Sequence, residues 1–270
     1  MTVSEVLRAA AEYLERKGVD SPRLDAELLL ADALGLSRLE LYTQHDRPLS
    51  EVERATARAC VERRGRREPL AYILGEWGFR RLTLRTDARA LVPRPETEIV
   101  VERALAVVEH VAGPRVLDVG TGSGAIALAI ASERSDARVT ATDRSPDALA
   151  LARENAARLG LDVAFVEADL LDGIAGPFDL VVSNPPYVLP EEELLPELTY
   201  EPREALVDGG QTAALAAAAR DVLDGFIVLE VHEERAQAVA GRLDELGYAA
   251  VTVTRDLAGK ERVVEARWTR

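Results

Sequence analysis

The 270-residue sequence has few cysteines and histidines and no long apolar run. Its one cysteine, Cys60, cannot form an internal disulfide, which favours a reducing, cytoplasmic setting. The three histidines lack metal-ligand spacing, so we expect no metal. Apolar runs such as residues 213–219 fall short of the roughly 18 residues that span a bilayer, and no basic patch precedes an apolar run at the N-terminus. We therefore expect a cytoplasmic protein without metal or membrane contacts.

Acidic residues outnumber basic ones, 47 to 33, and the charge is unevenly distributed. The net charge is −14; residues 1–90 hold 16 basic and 15 acidic residues, whereas the remaining residues hold 17 and 32. Such an acidic region repels a phosphate backbone, which argues against a stable complex with nucleic acid. The one basic cluster, residues 63–67, is interpreted as a solvated helix end or, less simply, as a contact for an acidic partner.

The sequence pattern divides the chain into three parts. Residues 1–66 combine capping-box spacings with apolar residues at helical intervals, which predicts a small all-helical domain. Residues 67–94 alternate and contain prolines, which predicts a connector with a small β-hairpin. Residues 95–270 alternate strand and helix and end in two consecutive strands. This order predicts an α/β domain with a seven-stranded Rossmann-like sheet, mostly parallel with an antiparallel terminal hairpin, the layout of many methyltransferases.

The individual elements of this α/β domain follow from the same alternation. The helices are expected at residues 95–109, 125–133, 146–159, 212–223 and 233–246. The strands are expected at residues 115–119, 138–143, 163–169, 178–183, 226–231, 249–255 and 262–268.

Candidate ligand-binding residues follow the first three strands of this sheet. The first strand, which contains Asp118, leads into the turn Gly120-Thr121-Gly122-Ser123-Gly124. Glycines in this turn let the backbone approach a ligand closely, although a tight strand-to-helix turn also needs glycine. The glycine spacing departs from the pattern G-x-G-x-x-G, which is typical of dinucleotide-binding proteins. Asp143 ends the second strand, where it could accept both hydroxyls of a ribose, and Asp169 ends the third, where it could bind the amine of an adenine. Together they predict a nucleoside pocket.

The fourth strand ends in a motif suited to methyl transfer onto nitrogen, Asn184-Pro185-Pro186-Tyr187. An amide or aromatic amine is a poor nucleophile because its lone pair is delocalised. The Asn184 side-chain carbonyl and the Pro185 backbone carbonyl can accept its two N–H groups, and Tyr187 offers a flat face for stacking. Such acceptors stabilise the positive charge that develops on nitrogen. The motif leaves open whether a nucleobase or an amide is methylated, and a proline-stiffened loop is the plainer interpretation.

Taken together, these motifs resemble the glutamine methyltransferases of peptide chain release factors, the HemK family. The resemblance covers nearly the whole chain, and its most discriminating parts are Pro93-Arg94-Pro95-Glu96-Thr97-Glu98 and Glu201-Pro202-Arg203. It extends to residues 41–49, 69–75, 120–124, 143–146, 184–187 and 256–259.

The resemblance implies a helical N-terminal domain that docks a release factor and a catalytic domain that receives its Gly-Gly-Gln loop. If the family's binding residues are carried over by position, S-adenosylmethionine would be bound by residues 120–124, Asp143, Asp169 and Leu170, together with Asp118 and Asn184. Residues 184–187 would hold the glutamine side chain, and the resemblance gives Arg94 no specific role.

Two other functions use the same features. A DNA or RNA amino-methyltransferase acting on adenine or guanine would need a basic groove or a base-flipping domain, and the acidic larger part argues against it. A non-catalytic cofactor-binding scaffold would not need the acceptor cluster of residues 184–187.

Overall fold

The computed structural model of the chain describes residues 1–189 and 191–269 and divides into two compact units. The smaller unit is Met1–Glu76 with Leu194–Tyr200, and the larger unit is Trp77–Glu193 with the chain from Glu201 onwards. Arg270, the last residue of the predicted 95–270 domain, lies outside the described residues. Among the described residues, no helix combines the length and the apolar character needed to cross a membrane.

The smaller unit is helical. Its helices are α1 (Val3–Arg16), α2 (Pro22–Leu34), α3 (Arg38–Thr43), α4 (Glu51–Gly65) and α5 (Leu70–Leu74). Thr2, Ser37 and Ser50 form capping boxes at the starts of α1, α3 and α4, so each helix begins at a side chain that satisfies a free backbone amide. Leu14 and Leu29 lie in its fully buried core.

The limits of the smaller unit differ from the predicted helical domain, which ended at residue 66. The unit continues to Glu76 because α5 packs against α2 and α4 and contributes Ile73 to the same core. It also includes Leu194–Tyr200, a segment that the sequence pattern did not assign to it. Tyr200 Oη donates a hydrogen bond to the backbone carbonyl of Arg66 at 2.9 Å. Sequence periodicity cannot detect such a distant segment, because contacts alone associate it with the helices.

The basic cluster at residues 63–67 is largely neutralised within the smaller unit. Arg64 Nη1 and Arg67 Nε lie 3.0 and 2.6 Å from Glu197 Oε1. Arg64 Nε also lies 2.7 Å from Asp25 Oδ2, with both side chains buried. Arg66 is different, since its side chain is 71% exposed. The cluster is therefore mainly an internal ion-pair network, which neither interpretation of the sequence anticipated.

The larger unit contains a two-stranded ribbon and a seven-stranded sheet. The ribbon is β1 (Glu76–Phe79), which belongs to this unit from Trp77 onwards, and β2 (Leu82–Arg85), the hairpin expected in the connector. The sheet strands are β3 (Arg115–Val119), β4 (Arg138–Asp143), β5 (Ala164–Glu167), β6 (Phe178–Ser183), β7 (Leu223–Glu230), β8 (Ala249–Arg255) and β9 (Glu261–Trp268). The spatial order is β5-β4-β3-β6-β7-β9-β8; the strands from β5 to β7 are parallel, and β9 is antiparallel to both neighbours. The predicted fold class is confirmed.

Helices cover the two faces of this sheet. The helices of the larger unit are α6 (Thr97–Val107), α7 (Ala125–Glu133), α8 (Pro146–Leu159), α9 (Arg203–Leu206), α10 (Gln211–Ala218) and α11 (Ala236–Glu245). Consecutive strand residues such as Val116 and Leu117 belong to different apolar clusters, as expected when side chains alternate between faces. One cluster includes residues of α6 and α7, and the other includes residues of α10 and α11.

The clearest error in the predicted elements lies before β7. The predicted helix 212–223 ends early, with α10 at Ala218 and a single 3-10 turn to Asp221, and β7 begins at Leu223. Gly225, which lies just before the predicted strand 226–231, lies within this strand. A Cβ atom there would stand 2.0 Å from the Asp179 carbonyl oxygen, so the close approach of the neighbouring strand requires glycine.

Candidate active site

The carboxyl ends of the parallel strands surround a cavity of about 150 Å³. Ligands of open α/β sheets bind at this edge, at the point where the order of the strands reverses. In this sheet the reversal lies between β3 and β6. Most of the predicted site residues line the cavity: Gly120, Thr121, Gly122, Ser123, Asp143, Asp169, Leu170, Asn184, Pro185 and Pro186. The structure does not bring Asp118, Gly124 or Tyr187 to the wall of this cavity.

The glycine turn is held in a left-handed backbone conformation. Gly120, Gly122 and Gly124 have φ angles of 73°, 56° and 86°, which other residues rarely adopt. A Cβ atom on Gly124 would stand 2.9 Å from Leu128 Cδ1, so this glycine permits close packing of α7. Gly124 therefore supports the turn, whereas Gly120 and Gly122 form the wall that faces the cavity.

Asp118 supports the same turn from behind. Its fully buried carboxylate accepts hydrogen bonds from Thr121 Oγ1 at 2.6 Å and from the Ala127 amide at 3.2 Å. Burial raises the pKa of Asp118 to about 7. Asp118 is not among the residues that line the cavity, so the structure provides no direct support for its predicted contact with a cofactor.

Asp143 and Asp169 line the cavity from neighbouring strand ends. Asp143 accepts backbone hydrogen bonds from Gly122 and Ser145, both at 2.9 Å, and burial raises its pKa. Asp169 is exposed and follows β5. Carboxylates beside a glycine turn can accept hydrogen bonds from ribose hydroxyls and an adenine amine, so these residues fit an adenosine group. Among the described residues, no cluster of three or more His, Cys, Asp or Glu side chains could hold a metal ion.

Asn184 brings an amide side chain to the end of β6. Its Nδ2 donates a hydrogen bond to Thr97 Oγ1 at 3.2 Å, and no described residue donates to its Oδ1. Ser183 Oγ donates to the Val119 carbonyl at 2.6 Å, which ties the end of β6 to the end of β3. The side chain of Asn184 can therefore present a carbonyl oxygen, an acceptor, to a ligand N–H group.

Tyr187, the last residue of the Asn-Pro-Pro-Tyr motif, lies elsewhere. It lines a second cavity of about 250 Å³, together with Glu230 and His232. The Tyr187 and His232 rings are 6.0 Å apart between centroids and tilted by 41°. Burial raises the pKa of Tyr187. Its ring does not line the cavity that Asn184 lines, so the structure provides no direct support for the predicted stacking position.

Sequence reasoning did not assign the residues that support Asn184 and the loop before α6. Thr97 is 4% exposed and contacts Asn184, 87 residues away in sequence. Glu201 is buried and pairs with Arg94, and its Oε2 accepts a hydrogen bond from the Val92 amide at 2.9 Å. The signal that could have found them was the pair of motifs, residues 93–98 and 201–203, which the resemblance left without roles.

This fold and site define a Rossmann-like methyltransferase. Two family models match the chain: the methyltransferase small domain over residues 98–239, and the PrmC N-terminal domain over residues 5–75. Among solved structures, the ribosomal protein L11 methylase of Lactobacillus delbrueckii is similar with a TM-score of 0.52 and 24% identity, covering 69% of this chain and 86% of that one. A 16S rRNA N2 G1207 methyltransferase of Thermus thermophilus, in complex with AdoMet and guanosine, has a TM-score of 0.54 and 19% identity, covering 72% and 50%. These two structures support the fold alone.

Curated relatives narrow the class further. The release factor glutamine methyltransferase of Deinococcus radiodurans is 46% identical over 99% of both chains. That of Geobacter sulfurreducens is 41% identical over 98% of this chain and 96% of its own. The chain belongs to the release factor glutamine methyltransferase family.

Proposed function

We propose that this chain transfers a methyl group from S-adenosylmethionine to the side-chain amide nitrogen of the glutamine in the Gly-Gly-Gln loop of a peptide chain release factor. The observation that carries this proposal is the setting of Asn184. Its Nδ2 is engaged by Thr97, and Asn184 lines the same cavity as Asp143 and the glycine turn. An acceptor for an amide N–H and the adenosine-binding residues therefore meet in one site.

The chemistry follows from the amide nitrogen. S-adenosylmethionine supplies an electrophilic methyl group when bound. The Asn184 Oδ1 and the Pro185 carbonyl oxygen accept the two N–H groups of the glutamine amide, which orients its nitrogen and stabilises the positive charge that develops there. Alignment of nitrogen and methyl group supplies much of the remaining rate enhancement. Pro186 stiffens this loop, since its ring fixes φ.

The adenosine-binding residues lie along the other strand ends. In this proposal Asp143 accepts the ribose hydroxyls and Asp169 accepts the adenine amine. The backbone of residues 120–123 passes close to the cofactor, and Leu170 supplies apolar contact at the cavity wall. In this proposal Asp118 and Gly124 hold the turn in place behind the cofactor.

Tyr187 takes a different part in this proposal. Its ring lines the second cavity with Glu230 and His232. The ring therefore either contacts the peptide beside the glutamine, or it stacks on the glutamine amide only after the loop that carries Tyr187 moves. A Tyr187→Phe variant that methylates normally and a Tyr187→Ala variant that does not would support contact through the aromatic face.

The substrate is tested by a methyl-transfer assay with labelled S-adenosylmethionine. We expect label on purified release factor, and none on a matched release factor whose Gly-Gly-Gln glutamine is replaced by alanine. DNA and ribosomal RNA are the competing substrates in parallel reactions. Equal labelling of the two release factors, or stronger labelling of nucleic acid, would refute the proposal.

The helical unit is proposed to dock the release factor in the cytoplasm. A glutamine side chain buries little surface, so selecting one glutamine needs contacts remote from the reacting atom. Hydrogen–deuterium exchange with and without release factor tests this role on the intact enzyme. Slower exchange is expected in residues 1–66; protection confined to the larger unit would leave the helices with a structural role only.

A further inference from the structure

A buried glutamate in the helical unit holds three solvent-exposed side chains, and none of them has a part in the proposed reaction. Glu27 lies on α2, and its side chain is 3% exposed. Its Oε1 accepts hydrogen bonds from Arg23 Nε at 2.7 Å and Tyr42 Oη at 2.5 Å, and its Oε2 accepts one from Arg38 Nη2 at 2.7 Å. These three donors are each more than half exposed, and all four residues belong to the smaller unit. The glutamate therefore fixes exposed groups from beneath.

Burying this carboxylate is costly, since an apolar side chain at position 27 could pack α2 against α3 without desolvating a charge. Burial raises the pKa of Glu27, but hydrogen bonds from Tyr42, Arg38 and Arg23 outweigh it and lower the pKa to about 2. Glu27 is therefore charged at neutral pH. What the carboxylate adds is order, because free arginine side chains lose much rotamer freedom when a partner binds them. Here they are ordered before any partner arrives.

Exposed apolar side chains lie beside these ordered groups. Leu39 and Tyr42 are three residues apart on α3 and so are neighbours on its surface. Leu39 is 72% exposed, and Leu24, which follows Arg23 on α2, is also exposed. We call Arg23, Leu24, Arg38, Leu39 and Tyr42 the α2–α3 patch. Tyrosine and arginine are enriched among the residues that dominate binding energy at protein interfaces, so the composition of the patch is that of a docking surface.

The patch also carries charged hydrogen-bond donors that the fold does not use. Among the described residues, Arg23 donates only through Nε, and Arg38 donates through Nε and Nη2. Their other terminal nitrogens remain for a ligand. Glu40, the acidic residue of α3, is turned back onto Ser37, whose amide and hydroxyl donate to it at 2.7 Å. Two arginines above one buried glutamate leave a net positive charge, so a fitting partner presents carboxylates beside apolar side chains.

We propose that the α2–α3 patch is the surface on which the helical unit docks the release factor, through an acidic and partly apolar face of that factor. This inference rests on the proposed function, in which the choice of one glutamine needs contacts beyond the reacting amide. The alternative occupant is a second copy of this chain. A positive patch does not complement itself, so a second copy would have to bind through a different, acidic face. Such head-to-tail contacts build rings or open filaments, which a complex with release factor does not require.

The apolar part of the patch is tested by Leu39→Asp, which places a negative charge where the acidic face would dock. The Kd of release factor, measured by calorimetry with S-adenosylhomocysteine present, should rise about tenfold or more. Val52→Asp is the matched control, because Val52 is a comparably exposed aliphatic residue at the start of α4. Its Kd should stay within about twofold of wild type. Both variants should unfold at the wild-type temperature, since neither side chain belongs to the apolar core of the unit.

The charged part is tested by Arg23→Gln, which removes the unused donors and leaves Glu27 held by Arg38 and Tyr42. The Kd of release factor should rise about fivefold or more. From about 0.05 to about 0.5 M NaCl, the wild-type complex should weaken more steeply than the Arg23→Gln complex, because salt screens the lost charge pair. Arg66→Gln, a change of the same kind at another exposed arginine of the unit, should alter neither the Kd nor its salt dependence.

These binding measurements need no methyl transfer, which separates this inference from the proposed function. A wild-type enzyme that neither binds nor methylates release factor would refute the proposed function, and the inference with it. A wild-type enzyme that methylates release factor, while Leu39→Asp and Arg23→Gln bind the factor equally well, would overturn the inference alone. Equal losses of affinity in Leu39→Asp and Val52→Asp would also overturn it. So would a wild-type assembly, seen by sedimentation, that Leu39→Asp dissociates, because a second copy would then occupy the patch.

Discussion

The two halves of the sheet edge that form the site are built differently. At the ends of β3 and β4 the groups are positioned by the local backbone: Asp143 accepts hydrogen bonds from Gly122 and Ser145, all within 23 residues of sequence. At the end of β6 the Asn184 side chain is instead held by a side chain from a distant segment, that of Thr97. The proposed cofactor half is thus local in sequence, and the proposed chemical half is assembled by tertiary structure.

This difference suggests a division of function that mutations can test. A backbone-built half should tolerate loss of one side chain with a moderate loss of binding, because the other groups keep their places. A half built from side chains of distant segments should lose rate steeply when one of them changes, because its partner then loses its orientation.

The largest expected effect is on the chemical half. Asn184→Ala should lower kcat about 10²–10³-fold, since it removes a preorganised acceptor, by analogy with the loss of an oxyanion-hole donor. The Kd of S-adenosylmethionine, measured by calorimetry, should change little. A kcat within about threefold of wild type would show that Asn184 does not act on the reacting nitrogen.

A smaller effect is expected on the cofactor half. Asp143→Ala should weaken S-adenosylmethionine about tenfold or more, because charge-assisted hydrogen bonds contribute roughly 1.5–3 kcal/mol. Asp172→Ala, a change of the same kind at a residue outside the cavity lining, is the matched control for calorimetry. If both variants bind the cofactor like wild type, the ribose contact lies elsewhere.

The turn behind the cofactor half should show a pH dependence of stability. Because the folded-state pKa of Asp118 is raised to about 7, its contribution to stability is fully present below the unfolded value near 3.8 and is lost as pH rises through about 7. Asp143 faces it and adds repulsion when charged. Urea unfolding of wild type without ligand should therefore lose about 1–2 kcal/mol between pH 5 and pH 7 relative to Asp118→Asn. Parallel pH profiles for the two proteins would contradict this account.

The smallest effect is expected outside both halves, at the basic cluster of the helical unit. Arg66 is 71% exposed and its ion pair with Glu62 spans 4.0 Å, whereas Arg64 and Arg67 are engaged by Glu197. Arg66→Glu should leave kcat/KM for release factor within about twofold, since exposed ion pairs contribute little. A tenfold or larger loss, restored by Arg66→Lys, would instead indicate that this residue contacts an acidic partner.

The same contrast explains which parts of the molecule could be predicted. The strands β3, β4 and β6 match their predicted bounds because local hydrophobic pattern and glycine spacing determine them. The same local signals indicated the glycine turn, Asp143 and the motif at residues 184–187. The start of β7 was missed because Gly225 is required by the approach of Asp179, a contact that leaves no periodic signal.

Long-range partners could not be predicted for a related reason. The contact of Thr97 with Asn184 spans 87 residues, and the attachment of Glu197 to Arg64 spans 133. Asp118 was assigned to cofactor contact because its place beside the glycine turn is visible in sequence, while the direction of its side chain is not. The prediction for Tyr187 relied on adjacency in the same way, and the ring faces the second cavity.

The most direct test of the account is a crystal structure of the enzyme with S-adenosylhomocysteine and a release-factor peptide containing Gly-Gly-Gln. We predict that the glutamine amide nitrogen lies within about 3 Å of Asn184 Oδ1 and that Asn184 Nδ2 remains hydrogen-bonded to Thr97. A glutamine amide held by other residues, with Asn184 turned away from it or its contact with Thr97 lost, would contradict the account.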